Sequence, residues 1–218
     1  MDGSGGPRRA AGARRRPARP VGPLNRGGLH GSSSPRDPAG RCAGARAARE
    51  RPHAHRRRVS VQLLFVCTGN TCRSPLAEAI ARKIAIERGL TWLDAASAGT
   101  SAWEGASASD GALLVGLERG LDLNGHRSRQ LDRDVVARAD LILAMGPHHL
   151  ERVEALGGEG KAYLLTAYAS HGQNTRPVND PMGAELEVYR VTAGELERLV
   201  RAAMDRVAAE RPAGGAEG

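Results

Sequence analysis

The sequence predicts one α/β domain: a parallel sheet of about four strands, covered by helices, with a phosphate-binding loop after the first strand. Three observations carry that prediction. Short, uncharged, β-rich runs alternate with stretches of helical period, the pattern of buried parallel strands joined by crossover helices. Glycine and proline punctuate the junctions. The apolar residues are concentrated beyond residue 58, leaving about 160 residues, the size of one ordinary domain that buries a real core.

The elements follow in order. VSVQLLFV (59–66) is short and uncharged, so it suits a central strand buried on both faces, and it ends at Cys67. The loop CTGNTCRS leads to Pro75, which opens a helix over LAEAIARKIAIERG with Leu76, Ile80, Ile84, Ala77 and Ala81 at helical spacing and Gly89 as its stop. LDAASAG (93–99) reads as a second strand. Ser109 is placed to cap DGALLVGLERG, where Leu113, Leu114 and Leu117 form an apolar stripe. A short helix is expected over 131–139, an apolar strand over ADLILAM (139–145), a Pro-started helix over 147–157 and a fourth strand at KAYLL (161–165). Residues 170–183, with Gly, Asn and Pro, form a loop. The closing segment (184–210) is helical through Leu186, Val188, Val191, Leu196, Leu199, Val200, Met204 and Val207, with Gly194 as a soft point. Ligands of such sheets sit at the carboxyl ends of strands, so the loop after the first strand is the candidate site.

Charge and composition divide the chain. The net charge is +8, but residues 1–58 hold 15 Arg against 3 acids, net +12, and residues 59–218 carry −4. In the first 58 residues Arg, Gly, Ala and Pro fill 42 positions, so that segment is expected to be a disordered arm, as is the tail at 211–218. Its Arg-rich, acid-poor character suits a phosphate-binding arm or a transit peptide, but seven Pro and ten Gly oppose the amphipathic helix of a transit peptide; translated GC-rich upstream DNA is the favoured reading, with Val59 as the start. Basicity that belongs to the arm is poor evidence for a nucleic-acid-binding domain. With only Phe65, Trp92, Trp103, Tyr163, Tyr168 and Tyr189 as aromatics, a base-stacking surface is not expected either. No run reaches the roughly 18 apolar residues of a membrane span. Cys42, Cys67 and Cys72 make no disulfide framework.

The chemistry concentrates in Cys67-Thr68-Gly69-Asn70-Thr71-Cys72-Arg73-Ser74. Backbone N–H groups of a loop entering a helix converge on a tetrahedral oxyanion, the helix N-terminus adds positive potential, and an Arg holds two phosphate oxygens by parallel hydrogen bonds. The same field favours a sulfur anion at Cys67, and Ser74 is positioned to donate to it. Gly69 permits close backbone approach, and Asn70 tolerates a left-handed backbone. Cys-x5-Arg-Ser is weak alone, but between an apolar strand and a Pro-started helix it is strong. A nucleotide loop would need a Gly-Lys pair, which is missing. Zinc would need two further ligands at suitable spacing; His148 and His149 are adjacent and read as a solvated helix start, so no metal or cofactor is expected.

Through VCTGNTCRSPLAEA (66–79), SAG (97–99), GHRSRQL (125–131), ADLILAM (139–145) and NDPM (179–182), the chain resembles the low-molecular-weight protein tyrosine phosphatases over about residues 61–208. The resemblance implies a cytoplasmic enzyme acting on phosphorylated proteins, with Cys67 as nucleophile, Arg73 as phosphate clamp and Asp180 as general acid. It implies that Asn70, Ser97 and His126 brace the loop. Asp180-Pro181 by itself reads as an ordinary turn, and it is the loop motif that favours catalysis. Thr68, Gly69, Asn70, Thr71, Cys72, Ser74 and Met182 are expected around the substrate, and Trp103 either in the core or as an aromatic wall of the pocket.

Within that family one branch dephosphorylates arginine. Tyrosine enzymes usually carry Ile two positions before the clamping Arg, and the arginine branch carries Thr, as at Thr71. AMGPHHLERV (144–153) and DPMGAELEVYRVTAGELERL (180–199) also resemble that branch, although Met182 replaces its usual Phe, and SAGTSAW looks more like the tyrosine enzymes. Phosphoarginine is therefore the expected substrate and phosphotyrosine the alternative. Arsenate reductases of this fold need further cysteines downstream, and none follows Cys72.

Overall fold

The computed structural model describes residues 60–210; the expected arm at 1–58 and tail at 211–218 lie outside the described residues. Four parallel strands, β1 (Val61–Cys67), β2 (Leu93–Gly99), β3 (Leu141–Ala144) and β4 (Ala162–Leu164), form one sheet in the order β2-β1-β3-β4. Helices α1 (Arg73–Glu87), α2 (Asp110–Glu118), α3 (Arg133–Arg138), α4 (Pro147–Glu154), α5 (Leu165–Ala169) and α6 (Leu186–Glu210) cover it.

The period of two along β1 divides the core. Leu63 and Phe65 face a large cluster with Leu76, Ile80 and Ile84 of α1, Leu143 of β3, and Leu196, Val200 and Met204 of α6. Leu64 and Val66 face a smaller cluster with Ile142, Leu131, Val135, Val136 and Val153. Each fully buried side chain of this size contributes roughly 1.5–3 kcal/mol of hydrophobic stabilisation. Burial on both faces is why β1 reads as a continuous apolar run. Its register sets Cys67 beside Gly99 and Val66 beside Ala144, so the carboxyl ends of β1, β2 and β3 share one edge.

Four local expectations are corrected. The Leu113, Leu114 and Leu117 stripe of α2 is not its buried face: Ala112, Val115 and Gly116 are buried, whereas Leu117 is 77% exposed. Tyr189 decides this, because its ring lies where a Cβ on Gly111 would stand, 2.6 Å away, so only the small-residue face of α2 fits against α6. The same rotation leaves Val191 exposed and buries Tyr189, Thr192 and Ala193. Helix α6 runs unbroken through Gly194. At 161–165, the strand stops at Leu164 and Leu165 begins α5, a turn of helix that the short apolar run concealed.

Candidate active site

Between β1 and α1 the chain turns in the loop from Cys67 to Arg73. Asn70 takes the left-handed conformation at φ 54°. Its side chain compensates the backbone cost: Nδ2 donates to Ser74 Oγ (2.9 Å) and Ser97 Oγ (2.8 Å), and Oδ1 accepts from the Arg129 amide (2.8 Å). Ser97 Oγ in turn donates to Glu78 (2.5 Å), and His126 Nε2 donates to the Asn70 carbonyl (2.7 Å). Ser74 Oγ accepts from Asn70 and lies 3.0 Å from Cys67 Sγ and 3.5 Å from the Ala98 carbonyl, so its proton is placed for the sulfur or that carbonyl, the sulfur being the nearer. Asn70, Ser74, Ser97 and His126 thus stand behind the loop rather than in the cleft. Glu78 completes this network and escaped the sequence reading, because on the helical period it looks like any solvated acid.

The loop also leans on the end of β2. Amides of Thr100 and Ser101 donate to the carbonyls of Cys67 and Thr68, both at 2.9 Å. A Cβ on Gly99 would stand 2.4 Å from the Thr68 carbonyl oxygen, so this contact needs glycine.

In front of the loop is a cleft of about 180 Å³, lined by Cys67, Thr68, Gly69, Thr71, Cys72, Arg73, Asp180 and Met182. Arg73 is buried; Nη2 pairs with Asp180 Oδ2 at 2.5 Å, Nη1 donates to the Val178 carbonyl at 3.3 Å, and Nε has no partner among the described residues. Asp180, 47% exposed at its side chain, therefore reaches the cleft from a loop 107 residues away. Both cysteines are free. Cys72 Sγ contacts Ser109 Oγ (3.1 Å), Tyr189 OH (3.6 Å) and Met182 Sδ (4.0 Å). Burial holds the Tyr189 phenol above its ordinary range.

Two expectations fail here. Trp103 is neither core nor cleft wall: its side chain is 84% exposed, on a turn whose Trp103 carbonyl accepts from Ser128 Oγ and whose Gly105 amide donates to the Ser128 carbonyl. His149 is not solvated: it is fully buried, with Nε2 2.8 Å from Thr68 Oγ1. Burial first, then the neighbouring charges of His148 and Arg73, push its pKa down to about 3. The signal was available in the spacing, since His149 precedes the buried Val153 by one helical turn. A larger open groove lies between α1 and residues 120–129; it touches Ser97 and His126 but neither Cys67 nor Arg73.

Comparison with known proteins agrees with this geometry. The family model described as low molecular weight phosphotyrosine protein phosphatase matches residues 62–213. A protein-arginine-phosphatase of Bacillus subtilis (strain 168) is 38% identical over 145 residues, 65% of this chain and 93% of the relative. The low molecular weight protein-tyrosine-phosphatase Wzb of Escherichia coli (strain K12) is 36% identical over 141 residues, 64% of this chain and 90% of the relative. The solved structure of the YwlE arginine phosphatase from Geobacillus stearothermophilus superposes with a TM-score of 0.63 at 34% identity, covering 69% of this chain and 94% of that one. Because the match spans the whole described sheet together with the cysteine loop that follows its first strand, the chain belongs to the low molecular weight phosphotyrosine protein phosphatase family and is a cysteine-dependent phosphatase.

Proposed function

We propose that the protein hydrolyses phosphoarginine in other proteins through a phosphocysteine on Cys67. Cys67 Sγ attacks phosphorus in line with the departing nitrogen; the P–N bond breaks, and Asp180 in its protonated form gives that nitrogen its proton. Asp180, now ionised, takes a proton from water as the water attacks phosphorus, and the P–S bond breaks to return Cys67 and release phosphate. Arg73 holds the phosphoryl oxygens, its unpartnered Nε and the Nη2 beside Asp180 being the donors suited to a bidentate grip. The loop amides supply the remaining donors. The free thiols of Cys67 and Cys72 fit a reducing, cytoplasmic setting.

Thr71 carries the choice of arginine. It lines the cleft beside Cys67 and Arg73, where a hydroxyl-bearing side chain smaller than Ile leaves room for a planar, branched guanidinium. The Bacillus subtilis relative, named as an arginine phosphatase, supports the reading. Phosphotyrosine is the second reading, since Wzb, named as a tyrosine phosphatase, is nearly as similar. In peptides carrying either residue, Thr71→Ile should lower kcat/KM for phosphoarginine at least about tenfold and preserve or raise it for phosphotyrosine. Equal losses, or a wild type that prefers phosphotyrosine, would overturn the assignment.

A further inference from the structure

Thr68 is exposed in the cleft directly after Cys67, and among the described residues its side chain has one hydrogen-bond partner, His149. His149 sits wholly buried on α4, and its Nδ1 has no partner. That asymmetry identifies the tautomer. A proton on Nδ1 would bury an unpaired donor beside no acceptor, whereas a proton on Nε2 is used by Thr68 Oγ1, 2.8 Å away, and leaves only a lone pair unmatched. Burial and the positive charges nearby keep the ring neutral, so one N–H is all it offers. His149 therefore donates to Thr68. A hydroxyl has one proton and two lone pairs, so Thr68 retains a proton and one lone pair for the cleft.

We infer that Thr68, oriented by His149, is a specificity-determining contact for an N-phosphorylated guanidinium: Oγ1 accepts an N–H of the leaving group while its own proton goes to a phosphoryl oxygen. This rests on the phosphoarginine reading and extends it to a second wall of the cleft, independent of Thr71. A phosphoguanidinium presents N–H donors beside phosphoryl acceptors and satisfies both capacities of the hydroxyl. Phosphotyrosine carries the acceptors but no N–H at its ring, so it satisfies only one. His149 is a positioning residue: it touches no substrate, and it acts by occupying the lone pair that would otherwise let the hydroxyl turn.

The test measures kcat/KM on phosphoarginine and phosphotyrosine peptides of otherwise identical sequence, and reads the ratio of the two. Thr68→Val keeps the shape of an exposed side chain and removes the hydroxyl; it should lower the arginine-to-tyrosine ratio about fivefold, the loss of one neutral hydrogen bond. His149→Leu should lower the ratio similarly. His149→Gln, whose amide N–H reaches toward the place of Nε2–H, should restore most of it, an outcome that a packing role alone would not produce. Combining Thr68→Val with His149→Leu should lower the ratio no further than Thr68→Val alone. If the wild type hydrolyses phosphoarginine and Thr68→Val leaves the ratio unchanged, the contact is overturned while the phosphoarginine reading stands. If the ratio falls in Thr68→Val but not in a folded His149→Leu, the orienting role of His149 is overturned. A wild type without phosphoarginine turnover overturns both readings.

Discussion

Asn70 is a left-handed residue that glycine could replace in backbone terms but not in its four hydrogen-bonding relations with Ser74, Ser97, Arg129 and His126. Those bonds preset the loop, so the phosphoryl group meets donors already in place. On that scaffold, Cys67→Ser should abolish phosphatase turnover while circular dichroism and the melting temperature stay near wild type; wild-type rates would refute the role of Cys67. Asp180→Asn should slow substrates with poor leaving groups far more than those with good ones, and a uniform loss would deny Asp180 the proton transfer. His149 adds a pH dependence to stability. Its pKa falls from an ordinary 6.5 to about 3 on folding, so between those values the unfolded chain binds a proton that the folded chain does not. Stability owed to this difference is complete above about pH 6.5 and is lost as pH falls toward 3, with a slope of up to about 1.4 kcal/mol per pH unit. Urea titrations at pH 7, 6 and 5 should show a shallower acid loss for His149→Gln than for wild type; parallel curves would contradict the buried neutral ring.

Elements meet at the site through close backbone contacts. The carboxyl end of β2 touches the loop after β1 at Gly99, where a methyl group would stand 2.4 Å from a carbonyl oxygen. Gly99→Ala should therefore cost roughly 1–3 kcal/mol, by analogy with overpacked cores, and should lower kcat as well by displacing Thr68. Unchanged kcat at reduced stability would mean that the strain is absorbed in β2 instead. For α2, Leu113 and Leu114 with Leu117 one turn on suggested a buried stripe, yet the helix docks through Ala112, Val115 and Gly116. Hydrophobic period locates a helix, but which face it buries depends on the shape of its partner, here the Tyr189 ring of α6.

Across the molecule, charge and core are separated in sequence. The described core clusters draw on residues from Leu63 to Val207, whereas the excess Arg lies in residues 1–58. Deleting residues 1–58 should leave the melting temperature and kcat/KM on small substrates close to those of the full chain. A fall of several degrees would show that the arm contributes to the folded domain.

Sequence alone determined the alternation of apolar strands with helices and the Cys67 to Ser74 loop between them, because both rest on local patterns: periods of 2 and 3.6, glycine and proline junctions, and contiguous spacing of reactive side chains. The pairing of Asp180 with Arg73, the burial of His149 against Thr68, the exposure of Trp103 and the docking face of α2 were decided only by tertiary structure. Each joins or separates side chains from segments distant in the chain. Desolvation and close packing act on surfaces that exist only once the sheet has brought those segments together.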